Sequence, residues 1–180
     1  MIRTDSAETF VTEINEMIPP NTTQVVLHSS LINYGIPSDG VESLRDLLVE
    51  TLVIKRKIRL HIPTFTFGLE DTWEPDTVTS HCGVLGKAFV KKFSGNRSIH
   101  PIHSVISLDK KPVRGKPHNT SFGPGSVWPS FVNDSNALNL GLGVNMDGGA
   151  TFMHAIEQYE LVPYRSTITL KQRAFWDGQQ

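Results

Sequence analysis

The chain has 180 residues, 38% of them hydrophobic and 19% charged, with a net charge of −1. That balance describes one soluble globular domain large enough to bury a core, and it excludes both a disordered chain and any global attraction to nucleic acid or a membrane surface. No apolar run approaches the roughly 20 residues that span a bilayer, the opening MIRTDSAETF is too polar for a signal peptide, and the lone Cys82 rules out an internal disulfide framework, so a cytoplasmic location is expected.

DSAETFVTEINEMIPP sets Asp5 and Glu8 in capping-box spacing. It then places Phe10, Val11, Ile14, Met17 and Ile18 on one helical stripe that Pro19–Pro20 stops. QVVLH (24–28) reads as a short buried strand, with Ser29 and Ser30 at its exit. SDGVESLRDLLVETLV has Ser38 and Asp39 as cap candidates and Val41, Leu44, Leu47, Leu48 and Leu52 at helical spacing. KIRLHIP (57–63) alternates as the next strand, and GVLGKAFVKKF (83–93) reads as a helix with a basic outer face. HSVISL and NALNLGLG (136–143) are further strands. A helix follows over TFMHAIEQ (151–158), and YRSTITL (164–170) is the last strand, rich in β-formers. Alternating strands and helices predict an α/β fold: a single domain over 1–180 with a central mixed β-sheet flanked by helices. Residues 1–23 form its helix and connector, 24–170 the core and 171–180 the tail.

Charge is uneven along the chain. Eight Lys or Arg residues and one acid, Asp109, lie between Lys87 and Lys116, and KRKIR (55–59) adds four more bases. GLEDTWEPDT (68–77) holds Glu70, Asp71, Glu74 and Asp76 with no base. Such runs are ordinarily solvated faces; the sharper reading is a site that takes an anion on one side and a cation on the other.

Seven histidines bear on chemistry. His28 and His61 sit at strand ends, where functional groups of α/β sheets gather, although a satisfied structural histidine is the commoner outcome. HPIH (100–103) has metal-like spacing, but Pro101 spoils a helical ligand pair and no second pair completes a site, so no metal is expected. Cys82 beside His81 is a weak nucleophile candidate, and there is no G-x-S-x-G elbow or G-K-[ST] phosphate loop. His154 and Glu157, three apart in the last helix, share one face. Near a helix start the dipole disfavours the imidazolium while Glu157 favours it and can fix the tautomer, which suits a general base; an ordinary helical ion pair has the same spacing.

VVLHSSL, IPTFTF, RSIHPIHSV, SFGPGS and TFMHAIE, in that order and spacing, resemble the aminoglycoside 3-N-acetyltransferase family from about Gln24 to Tyr164. R-S-x-H-P-x-x-S together with T-x-x-H-x-x-E carries the specificity. The resemblance implies acetyl transfer from acetyl-coenzyme A to an amine of an aminoglycoside or amino sugar, with His154 as catalytic histidine and Glu157 in the same motif. It implies coenzyme contacts from His28, Ser29, Ser30 and Leu31 in the HSSL turn, whose N–H groups are oxyanion candidates, and from Arg97, Ser98, His103 and Ser104. Glu70, Asp71 and Thr151 are assigned to the amine acceptor, the acidic pair on charge alone. The expected partners are therefore small molecules, with a homodimer left open and no nucleic acid or membrane. Two departures stand out. Lys57–Ile58–Arg59–Leu60 replaces the G-T-L usual before the proline strand, and the chain ends sooner than typical relatives. The second departure raises the alternative of a shortened, catalytically weak relative that binds a coenzyme or sugar or serves in an assembly.

Overall fold

The computed structural model describes residues 2–67, 72–110, 115–169 and 173–174. Its centre is a four-stranded mixed sheet of β1 (Gln24–Ser29), β2 (Arg59–Pro63), β3 (Val105–Leu108) and β4 (Ala137–Leu142), in the order β3-β2-β1-β4. β1 is parallel to both β2 and β4, and β3 is antiparallel to β2. Strand order thus reverses at β1, and the carboxyl ends of three parallel strands meet along one edge, where α/β sheets place their ligands.

Helices α1 (Ala7–Met17), α3 (Val41–Leu48) and α4 (Gly83–Phe93) cover the sheet; short helices α2 (Leu31–Tyr34), α5 (Trp128–Val132) and α6 (Met146–Gly149) and the longer α7 (Phe152–Tyr159) surround its carboxyl edge. The main core joins Phe10, Ile14, Leu44, Leu48, Phe89 and the inward strand residues Val25, Leu27, Leu60 and Ile62. A smaller cluster, with Phe65, Phe122, Trp128, Phe131 and Ala155, seats α7. Burial of such side chains stabilises by about 1.5–3 kcal/mol each, so both clusters fix their helices firmly.

α4 spans the same residues the spacing predicts. Elsewhere the local chemistry differs from expectation. Ser6, not Asp5, caps α1 by accepting from Thr9 N–H (3.2 Å). Asp39 does not cap α3, which starts after Gly40; its carboxylate accepts from Ala7 N–H (2.8 Å), tying the two helix starts together. Met17 is exposed at the end of α1. α3 runs on into a wider helical turn, Val49–Lys55. The described part of YRSTITL, residues 164–169, forms no strand. Its β-formers find no neighbouring strand there, and that pairing decides β-structure more than propensity does.

Lys57 and Arg59 leave the site untouched. Lys57 is exposed, and Arg59 pairs with Asp109 (2.8 Å) at the opposite, amino end of its strand. His61 is equally structural: it bridges three strands through Gln24 Oε1 (3.1 Å) and Ser107 Oγ (2.8 Å), and burial pushes its pKa down to about 3. Among the described residues no helix is long and apolar enough to cross a membrane.

Candidate active site

Two cavities open at the carboxyl edge of the sheet. The first, about 710 Å³, is lined by His28–Ile32 at the end of β1 and beyond, Phe65 and Phe67 after β2, and the His81–Val84 turn, with Thr151 just before α7 and His154 on it. The second, about 1000 Å³, lies against Ile99–Pro101, Pro117–Phe122, Glu157 and the 161–169 segment. His103 and Phe122 line both, so the two chambers share a wall.

The turn that builds the first chamber depends on close packing. After β4, Gly143 takes φ +63°, and a Cβ there would lie 2.6 Å from Tyr34 N and 2.7 Å from Ser30 O, so only glycine lets this turn press on α2. Ser30 N–H donates to Leu142 O (2.8 Å) and is therefore spent. The N–H of Leu31, first residue of α2, has no intrahelical partner by position. His28 is only 8% exposed, its Nε2 is buried with no hydrogen-bond partner among the described residues, and burial pushes its pKa down to about 4.

α7 is positioned from its own start. Asn139 on β4 donates from Nδ2 to Gly149 O (2.7 Å), and Asn145 Oδ1 accepts from Gly148 N–H (3.1 Å). These bonds hold the glycine pair that precedes the helix. Ala155 then buries between Trp128, Phe131 and Phe122, leaving His154 in the first turn of α7 with its ring 5.1 Å from that of Phe122. His154 Nδ1 lies 3.1 Å from Glu157 Oε2, and the His154 side chain remains 48% exposed. The Glu157 carboxyl is held below the usual carboxylate range by its hydrogen bonds to His154 and then Arg165. Arg165 Nε donates to Glu157 Oε2 (2.6 Å), and Arg165 Nη2 also meets His154 Nδ1.

The RSIHPIHS segment forms the shared wall, and most of its polar groups are consumed there. Arg97, 1% exposed, lines neither cavity. It donates to Ser104 Oγ (2.9 Å), Thr64 Oγ1 (3.2 Å), Thr64 O (2.7 Å), Pro75 O (3.2 Å) and Val78 O, and stacks on Trp73. Ser104 donates to Thr64 O (2.9 Å) and Ser98 Oγ accepts from Val105 N–H (3.0 Å). Of the segment's expected coenzyme contacts, only His103 reaches a cavity; its Nδ1 meets Ser121 Oγ (2.8 Å), and burial drives its pKa down to about 4. Expected residues Glu70 and Asp71, and the basic stretch 111–114, lie outside the described residues.

Sequence reasoning did not anticipate three features. His100 and His118 stack at 4.8 Å; His100 Nδ1 accepts from Ile102 and His103 N–H, and burial drives its pKa to about 3. Phe122 joins the chambers. Arg165 reaches the His154–Glu157 pair. Among the described residues no three metal-binding side chains converge. Cys82 Sγ accepts from Phe65 N–H (3.2 Å), its thiol pKa is raised by burial, and His81 Nδ1 is occupied by Phe67 N–H (3.0 Å), a poor nucleophile–base arrangement.

The family model for aminoglycoside 3-N-acetyltransferases matches residues 27–180. Three solved structures share the fold. YokD from Bacillus subtilis superposes with a TM-score of 0.71 at 18% identity, covering 91% of this chain and 73% of its own. Aminoglycoside acetyltransferase AAC(3)-IIb gives 0.64 at 18% identity, covering 90% of this chain and 66% of its own. Sisomicin-bound AAC-VIa gives 0.65 at 17% identity, covering 84% of this chain and 64% of its own. The chain thus spans about two thirds of the length of the latter two. A search of curated protein sequences finds no match.

Proposed function

The chain belongs to the aminoglycoside 3-N-acetyltransferase family, and from that premise we propose that it moves an acetyl group from acetyl-coenzyme A directly to an amine of an aminoglycoside or related amino sugar. One observation carries the reading: the His154–Glu157 pair stands between two chambers, with His154 lining the first and Glu157 the second. A two-substrate transfer needs that arrangement, because the base must reach an amine held on one side and an acyl carbon held on the other.

The first chamber suits the acyl end of the coenzyme. Its described lining contains no carboxylate, ammonium or guanidinium, and the unpartnered His28 Nε2 is a polar atom that an amide-bearing ligand can satisfy once the ring shifts to meet it. Ser29, Ser30, Leu31 and His103 complete that side, with Leu31 N–H as the oxyanion donor; Thr151, expected at the acceptor, lines this same chamber beside His154. Arg97, Ser98 and Ser104 serve by holding the wall rather than touching phosphate. The second chamber takes the acceptor, whose ammonium pairs with Glu157; Glu70 and Asp71 are kept as acceptor contacts on their charge alone.

Catalysis then runs through His154. With Nδ1–H donating to Glu157, Nε2 carries the lone pair and removes the proton from the acceptor's amine. The amine nitrogen bonds to the thioester carbon, the oxyanion collapses, and the C–S bond breaks. The coenzyme thiolate leaves and recovers the proton held by His154. The test is a panel of amine acceptors incubated with acetyl-coenzyme A and a thiol-reactive dye. Acceptor-dependent thiol release, with mass spectrometry showing an N-acetylated product, supports the reading; no release with any aminoglycoside or amino sugar overturns it.

A further inference from the structure

His154 Nδ1 has two neighbours that ask opposite things of it. The Glu157 carboxylate can only accept, so its approach at 3.1 Å calls for a proton on Nδ1. The Arg165 guanidinium can only donate, so its contact with the same atom calls for a lone pair there. A neutral imidazole satisfies one of the two, and the choice determines which nitrogen can act as base.

Arg165 is brought there by the backbone. After α7 the chain turns at Leu161, which takes φ +49°, a left-handed conformation that a bulky residue seldom adopts. Val162 N–H then donates to Glu157 O (3.3 Å) and Arg165 N–H to Val162 O (3.2 Å), folding the segment back over the helix. Arg165 Nε already donates to Glu157 Oε2 (2.6 Å), its guanidinium lies 5.8 Å from the Phe122 ring centre, and Tyr164 Oη donates to Glu157 Oε1 (3.4 Å). With the carboxylate satisfied from that side, Glu157 does not need the imidazole proton.

We propose that Arg165 is a positioning residue that sets the tautomer of His154. With the guanidinium against Nδ1, the imidazole proton sits on Nε2, the nitrogen that must be free to take a proton from the acceptor, and the base is silent. Once Arg165 withdraws from Nδ1, that nitrogen is protonated and donates to Glu157, and Nε2 becomes the base. An ammonium group that takes up Glu157 in the second chamber displaces Arg165 as a competing cation, so the arrival of a cationic acceptor arms the histidine. The assignment rests on the reading of His154 as general base.

The test is the tautomer itself. Protein labelled with 15N at histidine is examined at about pH 9, where a free imidazole is neutral, and the His154 signals are assigned by their loss in His154→Gln. The expected result is an unprotonated Nδ1 and a protonated Nε2 in the unaltered protein, with the pattern inverted in Arg165→Met, which keeps the side-chain length and removes the donor. A proton on Nδ1 in the unaltered protein overturns the proposal, even if the variant does not fold. The same tautomer in both proteins also overturns it. The spectrum needs no turnover, so a protein that acetylates nothing would sink the proposed reaction while leaving the arginine's effect on the ring readable. Where turnover is found, Arg165→Met raises kcat/KM for the cationic acceptor severalfold, since the acceptor no longer has to displace the arginine, with KM for acetyl-coenzyme A unchanged. An unchanged or lower kcat/KM for the acceptor overturns the claim that the bound arginine silences the base.

Discussion

The two histidine-bearing motifs are built in opposite ways. In RSIHPIHS the charged and polar groups turn inward: Arg97 spends its donors on five oxygens, and His100 Nδ1 takes two backbone N–H groups. In TFMHAIEQ the helix is anchored by Ala155 while His154 and Glu157 stay accessible and share their contacts with Arg165. The lesson is that one motif makes the wall and the other works beside it. Damage to the first is expected to appear as lost stability, and damage to the second as lost turnover.

The largest effect that separates them is on rate. His154→Ala is expected to lower kcat by about two to four decades, the usual scale of general-base loss, with a thermal midpoint close to that of the unaltered protein; thiol-release kinetics and melting curves read both. The converse change, Arg97→Met, removes the guanidinium donor from the carbonyls of Pro75 and Val78. It is expected to cost about 3 kcal/mol or more of folding free energy, since each orphaned buried acceptor costs about 1–3 kcal/mol. Urea unfolding measures this, and a midpoint unchanged from the parent would break the comparison from the wall side.

On the proposed function acetyl-coenzyme A is expected to bind the folded state, and at a hundred times its Kd to add about 2.7 kcal/mol of stability. The gain should be the same in His154→Ala, because the proposed coenzyme contacts are the wall and the HSSL turn rather than the base. Acid provides a further separation. His28 and His103 have folded pKa values of about 4 and His100 of about 3, all lowered mainly by burial, against about 6.5 in the unfolded chain. A folded pKa below the unfolded one means that stability is fully present above about pH 6.5. It falls as pH drops toward 4, since the unfolded chain binds protons that the folded one refuses, at up to about 1.4 kcal/mol per pH unit for each histidine. Replacing His100 by Asn, which keeps an acceptor, should lower that slope by about one proton in urea titrations at stepped pH; an unaltered slope would remove His100 from the account.

Much of the frame was legible from pattern alone. The buried run QVVLH, the alternation in KIRLHIP and the stripe of GVLGKAFVKKF each report a local period, and each matches a strand or helix. The His154–Glu157 spacing was equally readable, because a helix places i and i+3 together whatever surrounds it. What escaped was set by distant partners. Asp39 accepts from the first N–H of a helix 32 positions earlier in the chain, and the described part of YRSTITL has strand propensity but forms no strand. The burial of Arg97 depends on carbonyls from Pro75 and Val78, which nothing near RSIHPIHS announces. Arg165 lies eleven residues from His154 and returns through a left-handed Leu161.

The central claim is that His154 removes the acceptor's proton between the two chambers. The most direct measurement is acceptor-dependent thiol release from acetyl-coenzyme A by the unaltered protein and by His154→Ala, each first shown by calorimetry to bind the coenzyme. The account predicts transfer by the first and a loss of about two to four decades in the second, with coenzyme affinity unchanged. Equal rates from the two proteins would contradict it.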